Sequence, residues 1–507
     1  MKTPEGAKRS QSFAVVIGAG FGGIGMGIAL KRAGIDDFVI IEKHDGPGGV
    51  WEANRYPGAA CDVPSHLYSF SFEPWSGWSR RYGPQAEIRD YLHHCVRKYN
   101  LDAHLRLGRA VLSATFNDTT GSWRVELDDG SEVDTRVLIP AVGQLSVPSR
   151  PRIEGLDDFT GPLFHSATWN PAVDLAGKRV GVIGTGASAI QFVPEVAREA
   201  KHLSVFQRHA PYVFPKYDRP YAAWERRLVR TLPGWQHLDR AFQWFTHEAR
   251  GFALLRARWL VKSYEWRYRF ILRRRIPDRE LRERLWPNHP LGCKRILFSN
   301  TYLQTLGEEH VDLVTAPIER ITATGIRTAD GVDHALDAII LGTGFRATEF
   351  LSGIDVQGRD GVRLADAWRE GAHAYLGITA PGFPNLFLLY GPNTNLGHNS
   401  IIFMLERQIG YVMGAITRLA GEPGLSLEID PEIEERYNED IQSSLARSVW
   451  ADGCDNWYTD DAGRIVNNWP GLTVEYARAT RRFDFENYSE IQAGTRLTRP
   501  VMPQTSS

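Results

Sequence analysis

The sequence predicts an α/β fold made of two similar modules, each joining a parallel-sheet nucleotide-binding unit to a small antiparallel meander, with a helical insertion in the second. Three observations predict it. An apolar strand runs into a glycine turn and a helix near the N-terminus, and the same pattern returns after residue 179. Each occurrence is followed by a β-rich stretch folded about an Asp-Gly turn, the mark of a hairpin. A stretch rich in Arg and Trp and poor in Gly interrupts the second module.

The first unit opens with residues 13–17 (FAVVI), a short apolar run that ends on Gly18. Residues 24–33 read as a helix, and FVIIE at 38–42 reads as the next strand. Gly18-x-Gly20-x-x-Gly23 occupies the turn between them. Glycines at these positions allow a tight turn and let a pyrophosphate approach the helix N-terminus. Glu42 closes the second strand, where a carboxylate accepts hydrogen bonds from ribose hydroxyls. The plainer alternative is a structural glycine turn with a surface acid.

The second unit repeats this plan. Residues 179–183 (RVGVI) lead into Gly184-x-Gly186-x-x-Ala189, a helix around 187–200, and a strand at 203–208. Glu42 lies 24 positions after Gly18, and Arg208 lies 24 positions after Gly184. A cation thus replaces the acid. A carboxylate suits a free 2′-hydroxyl, whereas Arg suits a 2′-phosphate. The first unit is expected to hold FAD and the second NADPH in preference to NADH.

The meanders span 123–143 and 321–344 and close on Gly143 and Gly344. A Pro-rich stretch at 146–155 reads as the linker between units. The expected division assigns 1–147 and 386–507 to the FAD unit, 148–215 and 289–385 to the NADPH unit, and 216–288 to the insertion. The insertion carries 18 Lys and Arg against 8 Asp and Glu. It is expected to wall the substrate entrance. Weak docking on a membrane surface through its Arg/Trp-rich face is a second reading.

Composition removes several classes. The net charge is −1, so nothing global points to nucleic acid. Cys61, Cys95, Cys293 and Cys454 are far apart and form no C-x-x-C pair, which argues against a zinc site, a dithiol redox centre or a disulfide framework. No metal is expected. The polar start MKTPEGAKRSQS resembles neither a signal sequence nor a membrane span, so a cytoplasmic setting is expected.

Three further motifs stand near the ends of these units. Gly49-x-Trp51 leads to Tyr56-Pro57-Gly58 and Asp62, directly after the first unit's second strand. Cys293-Lys294-Arg295 sits where the insertion rejoins the second unit. GPNTNLGHNS at 391–400 precedes a helical pattern over 401–420, whose N-terminus would favour negative charge on a nearby cofactor.

Phe159-x-Gly161-x-x-x-His165-x-x-x-Trp169 resembles the signature of the type I Baeyer–Villiger monooxygenases, a group of class B flavoprotein monooxygenases. The stretch from Gly49 to Asp62, the GCKR and GPNTNLGHNS segments and the Trp469-Pro470 region are similar to that family as well. In the family pattern Pro or Asp commonly follows the signature Trp; here Asn170 does. The resemblance implies an NADPH- and O2-dependent enzyme that inserts one oxygen beside a ketone carbonyl through a C4a-peroxyflavin, giving an ester or lactone. It implies that Arg295 is catalytic and that Asp62 pairs with it. Lys294 and Arg208 would hold the 2′-phosphate, Trp469 would pack near the nicotinamide, and His165 would organise the link between units. A cation that keeps its proton in a dry site suits the stabilisation of an anionic oxidant, and Arg meets that need where His does not. The runner-up is a flavin-containing or N-hydroxylating monooxygenase acting on N or S atoms. A flavoprotein that binds NADPH without oxygenation is a more distant alternative.

Overall fold

The structure is a computed structural model, and it describes residues 9–232, 234–453 and 456–494. The polar C-terminal tail and Cys454 lie outside the described residues.

Strand Arg9–Ile17 is the axis of the first sheet. It pairs in parallel with Phe38–Ile41 on one side and with Glu132–Pro140 on the other. Both faces of these strands are buried: Ala14, Val16 and Ile40 pack against helices, and Val15, Val39 and Ile41 pack against the meander that follows. Val15 and Val16 point to opposite faces, and both are fully buried. The meander Val111–Asn117, Ser122–Leu127, Glu132–Pro140 extends this sheet by antiparallel pairing. Its Asp129-Gly130 turn places Gly130 at φ +78°. Helices Phe21–Arg32 and Ile401–Gly421 pack side by side on one face of the sheet. Their glycines and branched side chains fit closely: a methyl on Gly25 would lie 2.8 Å from Ile409.

The second sheet has five parallel strands in the order Val311–Val314, His202–Phe206, Arg179–Ile183, Ala338–Leu341, Leu163–His165. Its meander, Ile318–Thr322, Gly325–Thr328 and Asp333–Ala335, forms a separate three-stranded sheet. The insertion is helical, with helices Ala223–Thr231, Trp235–Arg256, Val261–Arg275 and Arg279–Arg284. The fold class therefore agrees with the sequence reading.

Two details differ from it. Strand Asp355–Gln357 pairs with Val111–Asn117, so the first sheet reclaims the chain well before residue 386. Three residues with alternating burial carry too weak a pattern to reveal which sheet they join. Cys61 and Cys95 are buried free thiols, but Cys293 is disulfide-bonded. Among the described residues no group of side chains could hold a metal ion, and no helix is long and apolar enough to cross a membrane.

Candidate active site

Both glycine turns are held the same way. The Gly18 amide donates to the Ile41 carbonyl at 2.7 Å, and the Gly184 amide donates to Phe206 at 3.1 Å. Each turn is thereby tied to the end of the neighbouring parallel strand. Gly18 and Gly184 adopt φ of +103° and +110°, where side chains are strained. A methyl on Gly23 would strike the Gly18 carbonyl. A methyl on Gly20 would meet only Gly49, 3.6 Å away, and one on Gly186 would meet nothing within 4 Å. Tight backbone beneath and open space above make a cradle for a pyrophosphate, and both turns fit a dinucleotide on this ground.

Glu42 is 4% exposed. Its Oε2 accepts from the Ala19 amide at 2.7 Å and its Oε1 from the His44 amide at 3.0 Å. It thus braces the glycine turn, and an ionised carboxylate keeps acceptor sites for ribose hydroxyls. Arg208 is exposed at the matching place in the second unit. Gly49, at φ +57°, packs on Gly20, where an added methyl would come within 2.9 Å. Trp51 donates its indole N–H to Tyr68 Oη at 3.1 Å.

The loop from Tyr56 to Asp62 bridges the two units. Tyr56 Oη donates to Gln191 Oε1 at 3.0 Å, and Gln191 Nε2 donates to the Ala60 carbonyl at 2.8 Å. Gln191 lies on helix Ala189–Ala197 of the second unit. Gly58, at φ +79°, lies so close that a methyl would stand 2.5 Å from the Gln191 carbonyl. From the other side, Val213–Phe214 pairs in parallel with Leu297–Phe298. That short ladder brings Lys294 and Arg295 back beside the segment that follows Arg208.

The two approaches meet at Asp62 and Arg295. Nη2 of Arg295 stands 3.5 Å from Oδ2 of Asp62, across 233 positions of sequence. Their side chains are 34% and 14% exposed. Burial disfavours the Arg295 cation, but Asp62, followed by Tyr458, Tyr390 and Cys61, outweighs it and raises the guanidinium above its ordinary pKa. Burial pushes Tyr458 and Cys61 up to about 12, and it raises Tyr390 and Tyr68 as well. All four stay protonated at neutral pH. The Arg295 cation and the Asp62 carboxylate thus stand among neutral hydroxyl and thiol groups. Asp62 Oδ1 is buried and has no partner among the described residues, so the site has acceptor capacity left for a bound group.

Trp469 is buried beside the 391–400 loop. Its amide donates to the Asn395 carbonyl at 2.9 Å and its indole N–H to Leu472 at 3.1 Å. Ser400 caps helix Ile401–Gly421. His165 Nδ1 accepts from the Ala167 amide at 3.0 Å, and its ring meets Phe345 edge-on at 5.8 Å. Burial lowers its pKa. It stands where residues 343–346 cross to the linker through Ser149 and Val147.

Sequence reading missed a polar network at this crossing. Gln144 Nε2 reaches the carbonyls of Tyr390 and Gly391, and Asn467 Nδ2 donates to Gln144 Oε1 at 3.1 Å and to the Ala347 carbonyl at 2.8 Å. The signal available was slight: Gln144 directly follows Gly143, and an amide pair stands at 467–468.

A family model described as pyridine nucleotide-disulphide oxidoreductase matches residues 15–224. A protein of Pseudomonas aeruginosa named Baeyer–Villiger monooxygenase is 42% identical, over 96% of this chain and 92% of its own length. One of Streptomyces coelicolor with the same name is 40% identical, over 94% and 92%. The chain belongs to the Baeyer–Villiger monooxygenase family. Solved relatives share the fold of this monooxygenase. A structure described as oxidised steroid monooxygenase bound to NADP has 31% identity and a TM-score of 0.85, covering 95% of this chain and all of that one. A closed crystal structure of cyclohexanone monooxygenase has 29% identity and a TM-score of 0.86, covering 96% of this chain and all of that one. The monooxygenase lacks a C-x-x-C pair, so its match to the disulphide oxidoreductases concerns the nucleotide-binding frame.

Proposed function

We propose that this monooxygenase converts a ketone to an ester or lactone, using NADPH and O2, with FAD in the first unit and NADPH in the second. The observation that carries the proposal is the Arg295–Asp62 pair at the meeting of the two units. When bound, FAD reduced by NADPH supplies oxygen activated from O2. Arg295 supplies a cation that keeps its proton and stabilises negative charge developing on the reacting oxygens. Asp62 offsets the cost of burying that cation and orients the guanidinium. The neutral phenols of Tyr390 and Tyr458 add no competing charge. Gly18, Gly20, Gly23, Gly49 and Glu42 cradle the FAD, with Trp51 packed beside it. Gly184 and Gly186 cradle the NADPH pyrophosphate. Arg208 and Lys294 hold the 2′-phosphate, and Trp469 packs toward the nicotinamide. The dependence on NADPH supports a cytoplasmic setting.

The test supplies NADPH, a panel of cyclic and linear ketones and 18O-labelled O2. Mass spectrometry is expected to find one labelled oxygen per ester, with one NADPH consumed. NADPH oxidation that yields only hydrogen peroxide with every ketone would refute the proposal.

A further inference from the structure

Ten of the fourteen exposed large hydrophobic residues among those described lie between Tyr217 and Phe270, inside the insertion. Helix Trp235–Arg256 concentrates them. Leu238, Phe242, Phe245 and Phe252 are between 53% and 68% exposed. With the exposed Ala241 and Ala249, they recur at helical spacing and form one apolar stripe. At 1.5 Å per residue the stripe runs about 21 Å from Leu238 to Phe252.

The opposite side of this helix faces the protein and is mainly polar, with Trp244 stacked on Phe403 and Leu255 packed on the core beside it. Gln236, Gln243 and Glu248 are buried. Arg240 donates to the carbonyls of His66, Leu67 and Ser69. Glu248 accepts from Asn399 at 2.8 Å, from Thr473 at 2.9 Å and from the Val474 amide at 3.2 Å. A helix on a water-facing surface shows the reverse arrangement. Here specific hydrogen bonds lock the polar side inward and leave the phenylalanines facing out. Just beyond the helix, Trp259 and Trp266 are 76% and 72% exposed.

Charge identifies what covers the stripe. The 18 cations against 8 anions in this segment leave an excess of ten positive charges, and Arg250, Lys262, Arg273 and Arg274 are exposed. A symmetric contact between two copies would set that excess against itself. An anionic surface complements it. The helix is not apolar enough to cross a bilayer, so it would lie in the plane of one. We propose that the insertion docks on an anionic lipid surface, with the Leu238/Phe242/Phe245/Phe252 stripe sunk to the acyl boundary and the exposed Arg and Lys side chains against the head groups.

The test is flotation of the full-length, FAD-loaded protein with vesicles of phosphatidylcholine alone and of phosphatidylcholine carrying about one-third phosphatidylglycerol. Binding to the anionic vesicles is expected to exceed binding to the neutral ones by at least about tenfold and to weaken as salt rises. The variant Phe242→Ser/Phe245→Ser/Phe252→Ser is expected to lose on the order of a hundredfold in vesicle affinity, with FAD content unchanged. Should that variant lose FAD, Arg273→Gln/Arg274→Gln decides, since two cations contribute roughly tenfold or more to anionic binding. Absence of vesicle binding, equal binding to both compositions, or a vesicle-independent dimer that the triple variant dissociates would each overturn the proposal.

Discussion

Replacing Asp62 with Asn keeps the shape of the side chain and removes its charge. Asp62 stands 3.5 Å from the Arg295 guanidinium. At that distance the attraction is about 5 kcal/mol at an effective dielectric of about 20 and about 1 kcal/mol in bulk water. Solvent reaches about a third of the Arg295 side chain, so about 2 kcal/mol is appropriate, which is roughly thirtyfold in rate. The guanidinium stays charged without Asp62, because Arg does not deprotonate in proteins. The loss is therefore one of orientation and local field. Asp62→Asn is expected to retain FAD, to be reduced by NADPH anaerobically at a rate within about twofold of the parent, and to form ester roughly thirtyfold more slowly. The unused oxidant should appear as hydrogen peroxide, so ester per NADPH falls. Arg295→Ala is expected to abolish ester formation while keeping reduction by NADPH. Ester per NADPH unchanged in Asp62→Asn would refute the role argued for the pair.

Glu42→Ala leaves the Ala19 and His44 amides without their acceptor; a cost of about 2 kcal/mol or more should lower FAD affinity by tens of fold, read as flavin absorbance per protein after dialysis. Arg208→Ala should raise KM for NADPH by about ten- to a hundredfold and leave NADH use unchanged, which steady-state kinetics with both coenzymes would check. Stability should fall with acid in two windows, both from helix Trp235–Arg256. Burial lowers His247 to about 4 in the folded state, so the unfolded chain takes up the proton first and stability drops as pH falls from about 6.5 to about 4. Burial pushes Glu248 upward, but His398, Asn399, the Val474 amide and Thr473 outweigh it and hold it at about 2. Its stabilisation is full above about 4.5 and is lost toward about 2. Thermal melts across this range should show both losses, and Glu248→Gln should lower Tm at pH 7 and flatten the fall below pH 4.5.

The sequence by itself determined the two nucleotide-binding units, because their requirements are local. A turn at φ above +100° demands glycine at 18 and 184, and strand ends at fixed spacing put Glu42 and Arg208 in matching places. The Asp-Gly hairpins were equally legible, since turn chemistry acts within four residues. Tertiary structure alone decided what depends on distant partners. Asp62 and Arg295, 233 positions apart, meet only because Gly58 lets one loop press on helix Ala189–Ala197 while a two-residue ladder returns the other. The same holds for the Gln144–Asn467 network and for strand Asp355–Gln357, whose three residues join the first sheet. Helix Trp235–Arg256 makes the reason plain. Its periodicity marks two faces, but periodicity carries no sign. Hydrogen-bond partners at His66, Asn399 and Thr473 turned Arg240 and Glu248 inward and the phenylalanines out. Burial of a polar side chain depends on what waits to satisfy it, and that is a property of the assembled fold.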